Sequence, residues 1–168
     1  MADYYFITSK LNGYVLDITG ASTASGTPII SYPRKTSGTD NQLWERVPTG
    51  PKDSAGGQSL YFIKSKLNGN VLDIKGASTA AKTPIISYPQ KATGTDNQVW
   101  ELVFGAEPGY FFITSLLNSY VLDIEGASTA PKTAIISYPR KSSGTDNQLW
   151  SFVSANNNAK KKSAFASS

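Results

Sequence analysis

Apolar and polar positions along the chain follow the pattern of short β-strands. In the stretch 5–47, segments rich in β-branched and aromatic residues alternate with segments rich in Gly, Ser, Thr, Asn and Asp. No window shows a sustained helical period of 3.6 residues, and Asn12-Gly13 is a strong hairpin signal. The pattern predicts four strands, at 5–11, 14–19, 28–33 and 42–47.

The same unit occurs three times. Residues 61–103 and 111–153 repeat residues 5–47 with few changes, although Asn118-Ser119 replaces Asn-Gly in the third copy. A unit of this size cannot bury its own apolar face and leaves open strand edges. Three units closing on a common axis solve both problems, whereas typical propellers have four to eight blades. The sequence therefore predicts an all-β fold, a β-trefoil of twelve strands in three four-stranded repeats with pseudo-threefold symmetry.

Alternation within the strands separates a core face from an outer face. In the second strand, Leu16 and Ile18 share one face, and we place Asp17 on the outer face because an unpaired charge is costly to bury. Gln42 lies two residues from Trp44 and is a candidate organiser of polar backbone. The expected core consists of these residues and their copies: Leu16, Ile18, Ile29 and Trp44.

Composition narrows the chemistry. The chain has no cysteine and no histidine, which excludes disulfides, zinc–thiolate sites, and Ser-His-Asp or Cys-His catalysis. Hydrophobic residues make up 39% and charged residues 17%, as in a globular domain with a lightly charged surface. An enzyme with this composition would depend on carboxylates, Lys, Tyr or hydroxyl groups.

The formal charge of +4 is concentrated at the end of the chain. Lys160, Lys161 and Lys162 lie in the segment 154–168, which has no acidic residue and no strand pattern. We expect one domain over 1–153 and a basic, disordered tail at 154–168. The nearly neutral body disfavours nucleic acid as a partner. Without a signal-peptide pattern or a long apolar run, we expect no membrane insertion and a cytoplasmic location, or export by a non-classical route.

Each unit carries an aspartate, a tyrosine and an asparagine that could hold a sugar. A carboxylate can accept hydrogen bonds from adjacent hydroxyls, an aromatic ring can stack on the apolar face of a pyranose, and an amide both donates and accepts. Each residue also has a structural interpretation, as a solvated carboxylate, a strand aromatic or a turn-forming Asn. The candidate sugar-binding residues are Asp17, Tyr32, Asn41, Asp73, Tyr88, Asn97, Asp123, Tyr138 and Asn147.

Asp-Asn-Gln-Leu-Trp at 40–44, with its copies at 96–100 and 146–150, resembles the Gln-x-Trp motif of ricin B-type lectins. The upstream Val-Leu-Asp-Ile resembles the family's strand with its sugar-binding Asp, and the resemblance covers all three repeats. The absence of cysteine makes the chain most similar to the cytosolic mushroom lectins. The resemblance implies that each Asp binds galactose-type hydroxyls, each Tyr stacks on the ring and each Asn adds hydrogen bonds. It implies no metal and no cofactor.

We therefore expect a non-enzymatic lectin with up to three shallow sites for galactose or N-acetylgalactosamine on glycoproteins or glycolipids. Three sites on one rigid body raise avidity on a glycan-coated surface. Thr19, Lys75 and Glu125 follow the three site aspartates by two positions and predict unequal affinities. The mushroom relatives suggest a role in fungal defence, and a homodimer is compatible with the sequence.

Two other classes of function stay open at this stage. A glycosidase would pair the strand Asp with a loop carboxylate such as Asp40. A glycan-independent β-trefoil module would act through protein contacts, as a protease inhibitor or a cross-linker. Competition by free galactose or lactose separates the second alternative from a lectin.

Overall fold

The computed structural model describes residues 1–50 and 60–156 and contains the twelve predicted strands. In the first repeat, the strands are β1 (Tyr5–Ser9), β2 (Val15–Ile18), β3 (Thr27–Tyr32) and β4 (Trp44–Pro48). In the second repeat, they are β5 (Leu60–Ser65), β6 (Val71–Ile74), β7 (Thr83–Tyr88) and β8 (Trp100–Phe104). In the third repeat, they are β9 (Phe111–Ser115), β10 (Val121–Ile124), β11 (Thr133–Tyr138) and β12 (Trp150–Ser154).

The pairing of these strands closes a barrel and a cap. The first and last strands of each repeat form a six-stranded ring in the order β1-β4-β5-β8-β9-β12, and β12 pairs with β1. The middle strands form three hairpins, whose second strands β3, β7 and β11 all pair with one another around the axis. This arrangement is a β-trefoil, which confirms the predicted fold class.

One core fills the barrel and cap. The predicted core residues Leu16, Ile18, Ile29 and Trp44 are all buried in it together with their copies, and Ile7 and its copies add to it. The indole N–H of Trp44 donates a hydrogen bond to the Leu16 carbonyl at 3.1 Å, and both other copies repeat this bond. Because a buried indole N–H needs an acceptor, this bond ties the last strand of each repeat to its second strand.

The structure corrects the predicted outer position of Asp17. Both faces of β2 are buried, so Asp17 is only 3% exposed. Val15, on the same face, packs against Phe6 and Leu43 in a smaller apolar cluster. The carboxylate tolerates burial because it has polar partners in the fold, which period-2 alternation does not reveal.

The chain differs from two further sequence expectations. The first hairpin has a five-residue turn between Ser9 and Val15 instead of a two-residue Asn-Gly turn. At the other end, Ser154 completes β12 and the Ala155 N–H donates to the Tyr4 carbonyl at 3.0 Å, so the packed chain continues past the predicted boundary at residue 153.

Residues 157–168, with the three lysines of the predicted tail, lie outside the described residues. In the described part of the chain, no helix has the length and hydropathy to cross a membrane.

Candidate functional site

Each repeat forms an open pocket beside the hairpin of its second and third strands. We name the pockets site 1, site 2 and site 3 after Asp17, Asp73 and Asp123, which line them. Their volumes are about 450 to 510 Å³, which lies within the range of small-ligand pockets. All nine predicted sugar-binding residues line these pockets, and each Asp, Tyr and Asn triplet belongs to a single site.

A glutamine holds the carboxylate of site 1 in place. Gln42 is fully buried, and its Nε2 donates to Asp17 Oδ2 at 2.8 Å and to the Pro33 carbonyl at 3.0 Å. Its Oε1 accepts the Lys35 backbone N–H at 2.9 Å. Gln98 and Gln148 make the same three bonds in the other repeats. Since a carboxylate offers about four acceptor positions, Asp17 keeps acceptor capacity for a ligand that enters the pocket.

The site carboxylates have similar electrostatic surroundings, except that site 3 has an additional acidic neighbour. Burial raises the pKa of Asp17, while the Gln42 hydrogen bond, the Lys35 ammonium and the Asn41 amide oppose this rise. The pKa of Asp73 is raised for the same reason, with the same opposing groups. At site 3, the nearby Glu125 carboxylate raises the pKa of Asp123 further, in addition to burial.

The asparagine of each site is already engaged by the fold. Asn41 lies in the short 3-10 helix Asp40–Gln42 and is only 3% exposed. Its Nδ2 donates to the Ile18 carbonyl at 3.0 Å, and its Oδ1 accepts from Lys35 Nζ at 2.5 Å. The amide therefore fixes the wall of the pocket and positions the lysine, in addition to any bond that it makes to a ligand. Both other sites repeat these bonds.

One tyrosine from the third strand of each repeat lines the pocket. Tyr32 and Tyr138 are half-buried and Tyr88 is 41% exposed, so each side chain is accessible from its pocket. Ile30, two residues earlier on the same face of β3, adds an apolar floor beside Asp17. A carboxylate next to an aromatic ring and an aliphatic floor suits a ligand with hydroxyl groups on one side and C–H groups on the other.

Sequence reasoning missed two groups of site residues. The first group is a lysine that recurs at the same position of every repeat, which is a signal that the sequence contains. These residues, Lys35, Lys91 and Lys141, all line the pockets. The second group comes from a neighbouring repeat, and these residues are Lys132 at site 1, Gly26 at site 2 and Lys82 at site 3. No linear motif reveals the second group, because packing around the axis brings the repeats together.

The strand and loop aspartates that the sequence offered as a glycosidase pair, such as Asp17 and Asp40, do not line a common pocket. Asp40 does not line site 1 and instead lies 3.4 Å from Lys66 Nζ. Among the described residues, a second carboxylate lines the pocket only at site 3, where it belongs to Glu125. In the described residues, no cluster of three or more acidic side chains could hold a metal ion.

Comparisons with known proteins agree with this geometry. The model of the ricin-type beta-trefoil lectin domain-like family matches residues 1–88, 40–138 and 96–163. Mucoricin from Rhizopus delemar is 46% identical over 52 residues, which are 31% of this chain and 33% of Mucoricin. The matched segment thus spans about a third of that curated relative.

Solved structures resemble the whole trefoil. The designed threefold-symmetric protein ThreeFoil is 35% identical, with a TM-score of 0.76 over 89% of this chain and 97% of that chain. The C-half of the earthworm R-type lectin, in complex with GalNAc, is 28% identical, with a TM-score of 0.63 over 90% and 98%. The Macrolepiota procera ricin B-like lectin, in complex with lactose, is 26% identical, with a TM-score of 0.69 over 89% and 94%. With the family model matching each of its three repeats, this chain belongs to the ricin-type β-trefoil lectin domain-like family.

Proposed function

We propose that this protein is a lectin that binds galactose or N-acetylgalactosamine at sites 1, 2 and 3 without chemical conversion. The observation that carries the proposal is the threefold recurrence of one arrangement, a buried carboxylate beside a tyrosine ring. Family membership supports carbohydrate binding in general. The GalNAc and lactose complexes of two structural relatives support the galactose-type preference.

The pocket chemistry fits a galactose-type ring. Asp17 accepts hydrogen bonds from two adjacent hydroxyls through its remaining lone pairs. The apolar C–H face of the sugar rests against Tyr32, and Ile30 covers the edge of the ring. Lys35 Nζ, held by Asn41, donates to a further hydroxyl. The pocket is open and offers a sugar few contacts, so we expect weak affinity for a single sugar.

Simultaneous binding at several sites would compensate for the weak affinity of each site for a single sugar. The three sites lie on one rigid body, related by the threefold arrangement of the trefoil. On a surface dense in glycoprotein or glycolipid glycans, occupation of the first site raises the effective sugar concentration at the others. We infer that the biological partner is such a surface.

A glycan array tests this proposal with a triple variant. In it, Asn replaces each site aspartate and keeps the side-chain volume: Asp17→Asn, Asp73→Asn and Asp123→Asn. The matched control changes the exposed loop aspartates instead: Asp40→Asn, Asp96→Asn and Asp146→Asn. We expect galactose-terminated glycans to bind the native and control proteins but not the site variant. Undiminished binding by a folded site variant would refute the proposal.

A glycan-independent module is the second candidate, and no described contact favours it over the lectin. Binding to a glycoprotein-coated surface, measured with and without soluble lactose, separates the two functions. Lactose competes with surface binding by a lectin and leaves a protein–protein contact unchanged.

A further inference from the structure

The residues donated by neighbouring repeats make the three sites chemically different. Lys132, at the end of the loop before β11, lines site 1. Lys82, before β7, lines site 3, and the equivalent residue of the first repeat, Gly26, lines site 2. The residue before the third strand therefore completes the site of a neighbouring repeat in all three cases. It is a lysine at sites 1 and 3 and a glycine at site 2.

The backbone holds this position close to the tyrosine of the neighbouring site. The Lys132 N–H donates to the Ser31 carbonyl at 2.8 Å, directly before Tyr32. The Lys82 N–H makes the same bond to Ser137, and the Gly26 N–H makes it to Ser87, each at 2.8 Å. This bond fixes the start of each lysine side chain at the rim of the neighbour's pocket.

The two lysines occupy a backbone conformation that favours glycine. Lys82 has φ of 68° and Lys132 has φ of 66°, where Gly26 has φ of 84°. L-residues other than Asn and Asp rarely adopt this left-handed region. The backbone therefore does not require lysine at this position, and glycine occupies it in the first repeat.

The balance of charge on each rim then separates the sites. In every site, one lysine beside the Asn faces the buried carboxylate, as Lys35 faces Asp17. Site 1 adds Lys132 with the neutral Thr19, and site 2 adds Lys75 with Gly26. Site 3 adds Lys82 together with Glu125, whose charges offset each other. Counted over the described residues, sites 1 and 2 thus each have one uncompensated rim cation, and site 3 has none.

We propose that sites 1 and 2 prefer galactosides that carry an acidic substituent, sulfate or carboxylate, whereas site 3 prefers neutral galactosides. This inference rests on the proposed function and assigns a ligand class to each site. At site 1, the preference comes from Lys132, which a neighbouring repeat supplies. An exposed ion pair of this kind favours the acidic ligand by up to about fivefold at low ionic strength, and the preference shrinks at about 0.15 M salt.

Single-site proteins test the assignment. Two of the three site aspartates are changed to Asn, which leaves site 1 or site 3 as the remaining site. Calorimetry compares lactose with its 3′-sulfate, its 6′-sulfate and the carboxylate lactobionic acid. We expect at least one acidic ligand to bind the site 1 protein about fivefold more tightly than lactose, and a ratio near one in the site 3 protein. The sulfates and lactobionic acid distinguish the two acidic groups.

Reciprocal substitutions then identify the residues responsible. Glu125→Thr in the site 3 protein should raise the acidic-to-neutral ratio to that of site 1, because it recreates the rim of site 1. Lys132→Gln in the site 1 protein should lower the ratio to about one. The control Lys64→Gln removes the same charge from β5, outside the three pockets, and should leave the ratio unchanged.

The outcomes separate this inference from the proposed function. Equal ratios at sites 1 and 3, or a ratio at site 1 that survives Lys132→Gln, would overturn the inference while lactose binding stands. Failure of every ligand to bind any single-site protein, with folding verified by circular dichroism, would overturn both proposals.

Discussion

Removing the buried glutamine of one repeat should weaken both the fold and one sugar site. Gln42→Met keeps the length and approximate volume of the side chain but removes its hydrogen bonds to Asp17, Pro33 and Lys35. The bond to the carboxylate is worth about 1.5–3 kcal/mol, and each of the other two about 1 kcal/mol. We therefore expect the free energy of unfolding to fall by about 4 kcal/mol, a large share of the about 5–15 kcal/mol of a typical domain.

Urea denaturation measures this loss, and calorimetry with lactose counts the surviving sites. Gln90→Met is the matched control, because this glutamine is exposed and should change stability by less than about 0.5 kcal/mol. The substitutions Gln98→Met and Gln148→Met should repeat the effect, each at its own site. A loss below about 1 kcal/mol for Gln42→Met would show that these bonds do not hold the carboxylate.

Three further predictions follow from single contacts. Ser119 has φ of 63° where the equivalent Gly13 has φ of 73°, so Ser119→Gly should raise stability and Gly13→Ser should lower it, each by about 1 kcal/mol in urea denaturation. Trp44→Phe removes the donor to the buried Leu16 carbonyl and should cost about 1–3 kcal/mol in the same assay. Because burial raises the pKa of Asp17 and Asp123, lactose binding to single-site proteins should weaken as pH falls, beginning above the ordinary aspartate value of about 3.9. Glu125 raises the pKa of Asp123 further, so site 3 should lose affinity at a higher pH than site 1.

The fold was predictable because the same pattern of four strands occurs three times in the sequence. Strand-length apolar segments, a period of two and the need to close three open units sufficed for the trefoil and its core. The five-residue turn at Asn12-Gly13 was not predictable from the dipeptide, since the Gly13 N–H bonds to the Ser9 carbonyl across the longer loop.

The sequence identified nine residues that line the three pockets, but it did not reveal the burial of the carboxylates or their partners. Alternation placed Asp17 toward solvent because the rule treats every charge as exposed. Its burial depends on Gln42, which lies 25 residues away in sequence and reaches it only in the folded repeat. The rim lysine of site 1 is more remote still, since Lys132 belongs to the third repeat.

The most direct test of the central claim is the number of lactose molecules that one chain binds. Isothermal titration of the native protein should give three sites, falling to two for Asp17→Asn and to one for Asp17→Asn with Asp73→Asn. Absence of binding, or a stoichiometry that these substitutions leave unchanged, would contradict the account that a carboxylate and a tyrosine in each repeat form a sugar site.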